Sequence, residues 1–160
     1  MNKSNGFTLV ELMVTLSVLA ILIAAGVPSF NQFIQGQRTT TEVNNLIGAV
    51  TLGRSEALSR GWPVSLRSMD GDYNTGFQLW MDGNDDGDFD DGVDELLRSY
   101  EGANQLTFTF SNDPLQFEAS GWLAGNYTVN VLADNCKGEN NRNINISRTG
   151  AINVVRNVCP

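Results

Sequence analysis

Near its start the sequence contains a long apolar segment, which limits the environments in which the chain can fold. From Phe7 to Val27 it carries a single charged residue, Glu11, close to its start, and Pro28 follows its end. At ~1.5 Å rise per residue, a helix over this segment is about as long as the ~30 Å hydrocarbon core of a bilayer. The pattern therefore predicts one transmembrane helix over residues 7–27.

The segment that precedes this apolar segment is short and polar. It has six residues, and Lys3 is its only charge. A secretory signal has its small-residue cleavage site after the apolar stretch. Here the small residue, Gly6, comes before it, so that cleavage after Gly6 would remove the polar leader and keep the apolar helix. Glu11 is unusual as well, because ionised groups within a membrane are costly and often mark functional sites.

The N-terminus from Lys3 to Pro28 resembles that of type IV pilins and type II secretion pseudopilins. The resemblance implies that a prepilin peptidase cleaves between Gly6 and Phe7 and methylates the new amino group of Phe7. It also implies that Glu11 pairs with the N-terminal amine of a neighbouring subunit, which sets the register of a filament whose core is made of apolar helices. A buried carboxylate needs such a partner, and a freed α-amino group is a suitable cation.

Beyond Pro28, apolar residues recur near helical spacing, which predicts an amphipathic continuation of the helix to about Ser59. We expect Pro28 to interrupt this helix and bend its axis, because a proline removes one backbone hydrogen bond. The polar stretch 35–41 is expected to be the weakest part of the helix. Gly61 is well suited to end it.

Everything after Gly61 is predicted to be β-structure. Eight short alternating segments are separated by Gly, Asn and Asp turns, and a tight hairpin turn is predicted at residues 148–150. The large aromatic side chains of this region, which include Trp62, Trp80 and Trp122, supply bulk, and most of them are expected in the core. The predicted strands are Pro63–Arg67, Phe77–Met81, Leu96–Tyr100, Leu106–Phe110, Leu115–Glu118, Tyr127–Leu132, Asn143–Ser147 and Ala151–Val155.

The predicted fold class is α+β. A long N-terminal helix, transmembrane in its first half and amphipathic in its second, packs on a C-terminal antiparallel β domain of two small sheets. The segments 53–61, 76–98 and 115–122 resemble those of GspH/FimT-type minor pilins and pseudopilins. The expected organisation is a cleaved leader over residues 1–6, a pilin helix over 7–60 and a globular domain over 61–160.

Charge placement predicts the orientation and excludes several functions. Lys3 should stay cytoplasmic, which makes this a single-pass inner-membrane protein whose domain faces the periplasm before it joins a pilus or pseudopilus. The net charge of −8 comes from residues 82–95, where eight acids meet no base. The rest of the chain is neutral overall, which argues against a general nucleic-acid binder. The absence of histidine leaves catalytic triads poorly supported, so no enzymatic activity is expected.

The two cysteines, Cys136 and Cys159, both lie in the last quarter of the chain. Translocation of the domain would place them in an oxidising compartment, where a disulfide is the favoured interpretation. A metal-binding pair is the alternative, and it lacks histidine and the usual ligand spacing.

The acidic segment resembles the first half of an EF-hand calcium loop. Oxygen-bearing side chains stand at positions one, three, five and nine, and a glycine stands at position six. EF-hand loops have a bidentate Glu at position twelve, and this sequence has Val93 there. A solvated acidic turn that binds no metal is therefore the alternative. Ca²⁺ is the one cofactor considered, and its candidate ligands are Asp82, Asn84, Asp86 and Asp90.

A role in DNA uptake is the last site hypothesis. Some FimT-type pilins bind DNA through a C-terminal Gly-Arg-x-Arg-like segment, and the matching residues 150–153 here lack both arginines. Arg142, Arg148 and Arg156 lie nearby, and three isolated cations predict weak, salt-sensitive phosphate binding.

Together these features predict a structural minor pilin that primes or joins type IV pilus assembly, with roles in twitching motility, adhesion or DNA uptake. Its expected partners are the prepilin peptidase, other minor pilins, the major pilin and the inner-membrane assembly platform. A minor pseudopilin of a type II secretion system and a DNA-binding pilus-tip protein are the alternatives.

Overall fold

The computed structural model describes residues 7–103 and 105–160. The predicted leader, including Gly6, lies outside the described residues. One long helix, α1 (Leu9–Arg60), is followed by eight strands. The chain divides into two compact units, one ending at Gly36 and the other spanning Gln37–Pro160.

The helix α1 continues through position 28 without a break in its assignment. The predicted interruption at Pro28 is therefore not seen, and the bend of the axis stays a prediction. The globular unit begins at Gln37, within the polar stretch 35–41 that was expected to be weakest, and the helix continues there too. It ends at Arg60, and Gly61 follows with φ of 72°, the left-handed conformation of a helix C-cap.

The first unit exposes its apolar side chains. From Phe7 to Val27 every large apolar residue is exposed by half or more. The helix contains an 18-residue window of mean hydropathy 2.4, and by length and composition it can cross a membrane. A helix that is apolar on all sides needs an apolar environment on all sides, either lipid or other helices.

The second unit consists of residues 37–60 of α1 and two antiparallel four-stranded sheets. The first sheet has the strand order β3-β2-β1-β5, and the second has the order β4-β6-β7-β8. The bounds are β1 Val64–Ser68, β2 Gly76–Met81, β3 Glu95–Glu101, β4 Leu106–Phe110, β5 Leu115–Phe117, β6 Tyr127–Ala133, β7 Asn141–Ile146 and β8 Ile152–Asn157. All eight predicted strands are therefore confirmed to within two residues.

One core joins the helix to both sheets. The helix contributes a buried stripe at helical spacing, and the strands contribute the alternate residues of their inner faces. Gly53 lies where α1 approaches the first sheet most tightly, because a Cβ there would come within 3.0 Å of the Leu79 side chain. The buried helix residues are Val43, Leu46, Ala49, Val50 and Ala57.

Most of the large aromatic side chains are in the core as predicted, with two exceptions. Trp80 is buried as expected, whereas Trp62 and Trp122 are about half exposed. The indole of Trp122 instead has the guanidinium of Arg148 5.5 Å above its ring, a cation–π contact that is compatible with exposure.

The hairpin and disulfide predictions are confirmed. The turn between β7 and β8 closes with a hydrogen bond of 2.8 Å from Gly150 N to Ser147 O. Cys136 and Cys159 form a disulfide with Cα atoms 5.6 Å apart. It ties the loop after β6 to the residues after β8, so the end of the chain is held on the second sheet.

Candidate functional site

The start of α1 is a reciprocal capping box formed by Thr8 and Glu11. The Glu11 carboxylate accepts hydrogen bonds from the Thr8 backbone amide and hydroxyl, each 3.0 Å long. The Glu11 amide donates to the Thr8 hydroxyl at 3.2 Å. This arrangement satisfies backbone donors that the first turn of a helix leaves unpaired. The local sequence Thr-x-x-Glu thus fixes where the helix begins and where its carboxylate lies.

Both hydrogen bonds from Thr8 reach the same oxygen, Oε2. Within residues 7–103 and 105–160, the second oxygen, Oε1, accepts no hydrogen bond. The helix N-terminus, with its positive end of the macrodipole, favours a negative charge at this position. Glu11 is therefore held in place by its own turn through Oε2, and Oε1 stays open within the described residues.

Phe7, the predicted new N-terminus, precedes this box by one residue. Its side chain is 78% exposed, like the apolar side chains that follow it. The structure thus places the predicted cleavage point, the capping box and the apolar helix in immediate succession. Gly6, the partner of Phe7 in the scissile bond, lies outside the described residues.

The acidic loop between β2 and β3 is organised around Asp82, which is fully buried. Its carboxylate accepts hydrogen bonds from the backbone amides of Asp86 and Gly87. It also accepts from the side chains of Ser65 and Gln116. This residue was considered as a calcium ligand, and in the structure it serves the loop as an internal acceptor.

The other candidate calcium ligands are also engaged within the loop. The Asn84 amide donates to Asp86 at 2.9 Å and to Asp90 at 3.3 Å. In the described part of the chain, no group of three or more acidic, histidine or cysteine side chains converges to hold a metal ion. The structure therefore gathers the loop through its own hydrogen bonds, and calcium binding stays a prediction.

The three candidate DNA-contacting arginines do not form one patch. Arg142 and Arg156 are directly opposite each other on β7 and β8, whereas Arg148 lies beyond the far end of β7, on Trp122. Arg142 is buried and donates to the backbone carbonyls of Glu139 and Asn141. Burial, and then the charge of Arg156, lower the pKa of Arg142. DNA binding therefore stays a prediction without an assembled site.

The end of α1 is joined to the first sheet by charged groups. Arg60 pairs with Glu56 one turn earlier, at 2.7 Å, and with Glu95 on β3, at 2.9 Å. The hydrogen bond to Glu95 is the main cause of a raised pKa at Arg60. The side chain of Arg54 lies against Gly150, where a Cβ would come within 2.7 Å of Arg54 Cδ. These contacts fix the helix end in the globular unit.

Two important residues were missed from the sequence. The capping role of Thr8 was available as a local signal, because a threonine followed three residues later by a glutamate before an apolar run is a helix-start pattern. The anchoring role of Asp82 had no such signal. It depends on Ser65 and Gln116, which are distant in sequence.

Two known family models match this chain. Residues 42–150, more than half of the chain, match the family model described as Type II transport protein GspH. The chain belongs to the GspH family. Residues 1–27 match the model of the prokaryotic N-terminal methylation motif. The family is one of minor pilins and pseudopilins, so the resemblance seen in the sequence is confirmed.

Two curated relatives match over part of this GspH-family chain. Fimbrial protein Q of Moraxella bovis is 37% identical over 51 residues, which cover 32% of this chain and 32% of the relative. Prepilin peptidase-dependent protein D of Escherichia coli K12 is 34% identical over 74 residues, 46% of this chain and 49% of the relative. The chain thus spans less than half the length of each.

Solved structures share the fold of this GspH-family chain. The type IV minor pilin FimU of Pseudomonas aeruginosa superposes with a TM-score of 0.58 at 24% identity, over 80% of this chain and 92% of that one. The minor pseudopilin EpsH of Vibrio cholerae gives 0.55 at 13% identity, over 74% and 97%. The single long helix on two antiparallel sheets is therefore confirmed as the fold.

Proposed function

We propose that this chain is a structural minor subunit of a type IV pilus, which helps to prime or continue the filament. It would be inserted in the inner membrane with residues 37–160 in the periplasm, and it would then move into the filament. The observation that carries this proposal is the Glu11 carboxylate. It is held at the start of an apolar segment whose large side chains are exposed by half or more, and its Oε1 is open within the described residues.

The first step would be cleavage of the bond between Gly6 and Phe7 by a prepilin peptidase. Cleavage converts the Phe7 nitrogen into an amine, which the same enzyme would methylate. The match to the N-terminal methylation motif supports this step, as does the relative named prepilin peptidase-dependent protein D.

The second step would be assembly with other pilins at the inner-membrane platform. A carboxylate buried among apolar helices is costly unless it is paired. The methylated amine of a neighbouring subunit would supply that pair at Oε1, while Thr8 keeps Oε2. Because the pair forms in one register only, it would fix how far one helix slides along the next.

A minor pseudopilin of a type II secretion system is the second candidate function. The description of the matched family, Type II transport protein GspH, favours it. The relative named fimbrial protein Q favours the pilus. Both functions use the same cleavage, insertion and pairing, and they differ in the partners of the globular unit.

Deletion of the gene separates the two candidates. A pilus subunit predicts loss of twitching motility and of sheared surface filaments, with secretion of exoproteins unchanged. A pseudopilin predicts loss of exoprotein secretion, with twitching motility and surface filaments unchanged. Complementation by the wild-type chain, but not by Glu11→Ala, ties either phenotype to filament assembly. Normal twitching and normal secretion in the deletion strain would contradict both candidates.

A further inference from the structure

The outer face of the second sheet carries no charge. In antiparallel strands, alternate residues point to one face, and directly opposed residues point to the same face. The registers pair Asn143 with Asn130 and Val155, and they pair Asn145 with Thr128 and Asn153. The outward strand positions on this face are amides, threonines and two aliphatic residues, and none is ionisable. The amides are Asn130, Asn141, Asn143, Asn145, Asn153 and Asn157.

Part of this amide face is fixed in place by its own hydrogen bonds. The Asn130 amide donates to the side-chain oxygens of Asn141 at 2.9 Å and of Asn143 at 2.6 Å. The Thr128 hydroxyl donates to Asn145 at 3.3 Å. Other members are open: within residues 7–103 and 105–160, the side chains of Thr109 and Asn153 make no hydrogen bond. The amide face is thus a rigid array that still presents free donors and acceptors.

A groove of about 490 Å³ lies at one end of the amide face. Thr128, Asn145 and Asn153 of the amide face line it, together with neighbouring residues at the same ends of the strands, which are Asn126, Tyr127, Ile146, Ser147, Ala151 and Ile152. Small-molecule sites of this kind combine apolar surface with a few placed polar groups. Across four strands, ~4.8 Å apart, the face is about 14 Å wide, so a ligand longer than the groove can continue along it.

We propose that the amide face binds a neutral polysaccharide, with one sugar unit in the groove. Neutral sugars present hydroxyl groups that both donate and accept, as amide side chains do, and their carbon faces are apolar. None of the ten basic and eighteen acidic residues of the chain occupies an outward position of these strands, so the face suits an uncharged ligand. Polyanions gain affinity from cations, and this face has none. The site is separate from the helix start at which assembly is proposed.

The test is direct binding to the full-length chain in a detergent with a zwitterionic, sugar-free headgroup. The probes are maltohexaose and cellohexaose as neutral ligands and a hyaluronan hexasaccharide as the acidic one. We expect at least one neutral probe to bind, with affinity unchanged between 20 mM and 500 mM NaCl. Failure of both neutral probes, or binding of the acidic probe alone, overturns the proposal.

Two variants locate the site. Asn153→Ala removes two hydrogen-bonding groups from an exposed position and is expected to weaken binding about tenfold. Asn44→Ala makes the same change at an exposed position of α1 and is expected to leave binding unchanged. Equal binding by the wild type and Asn153→Ala would contradict the proposal.

Association with another protein is the competing use of this face. Mass photometry of the wild type and Asn153→Ala distinguishes it. A self-association that Asn153→Ala abolishes, with no neutral probe bound, would assign the amide face to a second copy and overturn the polysaccharide proposal. The proposed pilin function does not depend on either result, since filament entry of Asn153→Ala can be measured separately.

Discussion

The carboxylate of Glu11 accepts two hydrogen bonds from Thr8, each 3.0 Å, and both end on the same oxygen. Glu11 therefore has two separable roles. It completes the cap of its own helix, and in the proposed filament it would present a negative charge to a neighbouring chain. A cap contributes about 1 kcal/mol to a helix start, whereas breaking a buried ion pair costs about 3–5 kcal/mol.

The first prediction separates these roles. Thr8→Ala removes the cap and keeps the charge, so the variant should enter filaments nearly as the wild type does. Glu11→Gln keeps an acceptor for Thr8 and removes the charge, so its incorporation should fall at least about tenfold, since 1.4 kcal/mol is a tenfold effect. Immunoblots of sheared filaments, normalised to the membrane fraction, measure both. Normal incorporation of Glu11→Gln would rule out the pairing role.

The second prediction concerns two glycines of α1. Alanine is favoured over glycine within a helix by about 0.5–1 kcal/mol. At Gly48 an added Cβ meets nothing within 4 Å, so Gly48→Ala should raise stability by about that amount. At Gly53 the Cβ meets Leu79 at 3.0 Å in a packed core, so Gly53→Ala should lower stability by about 1 kcal/mol net, because overpacking costs about 1–3 kcal/mol.

Chemical denaturation of the full-length chain in micelles measures both glycine variants under one condition. They share the same helix and the same chemical change, so each is the control for the other. Stabilisation by both variants would mean that the approach of α1 to the first sheet is looser than the structure shows.

These glycines also show how far the sequence alone leads. Local signals were enough to predict the positions of the eight strands, because the alternation of apolar and polar residues and the turn residues can be recognised in consecutive positions. Local signals do not distinguish Gly48 from Gly53, because glycine has the same low helix propensity at both positions. They differ because the side chain of Leu79 on β2 packs on Gly53, and that contact is between residues distant in sequence.

The exposure of Trp122 and the burial of Asp82 could not be predicted from local signals, because both depend on contacts between residues that are distant in sequence. Hydrophobicity predicts burial for a tryptophan, but Arg148 from another hairpin covers part of its ring. An aspartate in an acidic run is usually solvated, but Ser65 and Gln116 supply Asp82 with donors in the interior. The start of the candidate site was predictable, because Thr8, Glu11 and the apolar run are contiguous.

The third prediction tests the anchoring role of Asp82. Asp82→Ala leaves the amides of Asp86 and Gly87 and the hydroxyl of Ser65 without this acceptor in a buried place. Unpaired buried polar groups cost about 1–3 kcal/mol each, partly relieved by water, so we expect a loss of about 3 kcal/mol. Asp91→Ala, at an exposed position of the same loop, should change stability by less than about 0.5 kcal/mol.

Thermal melts of both variants provide the comparison, and equal melting temperatures would show that Asp82 is not an anchor. The same melts with and without calcium chloride test the calcium prediction, because an ion that binds only the folded loop raises the melting temperature.

The fourth prediction is a loss of stability at alkaline pH. Burial, and then the hydrogen bond of 2.5 Å to Asp113, raise the pKa of Tyr73 well above its usual range. The unfolded chain ionises this phenol at about pH 10. The contribution of the protonated Tyr73 phenol to the free energy of unfolding is therefore complete below pH 10, and it is lost progressively as the pH rises above 10. Burial raises the pKa of Tyr100 and Tyr127 in the same direction.

Melting temperatures between pH 8 and pH 11 measure this effect. The wild type should lose stability above pH 10, and Tyr73→Phe should start about 1 kcal/mol less stable and decline less steeply. Parallel curves for the two proteins would show that Tyr73 does not titrate differently in the folded and unfolded states.

The central claim is that the chain is trimmed ahead of its apolar helix and keeps that helix for assembly. The most direct measurement is the intact mass of the protein extracted from membranes of a strain with an active prepilin peptidase, with a Gly6→Leu variant as the unprocessed control. The account predicts a wild-type mass that lacks residues 1–6 and carries one added methyl group, while the control keeps its leader. A wild-type protein that retains Met1 through Gly6, or one that has lost the apolar segment as well, would contradict it.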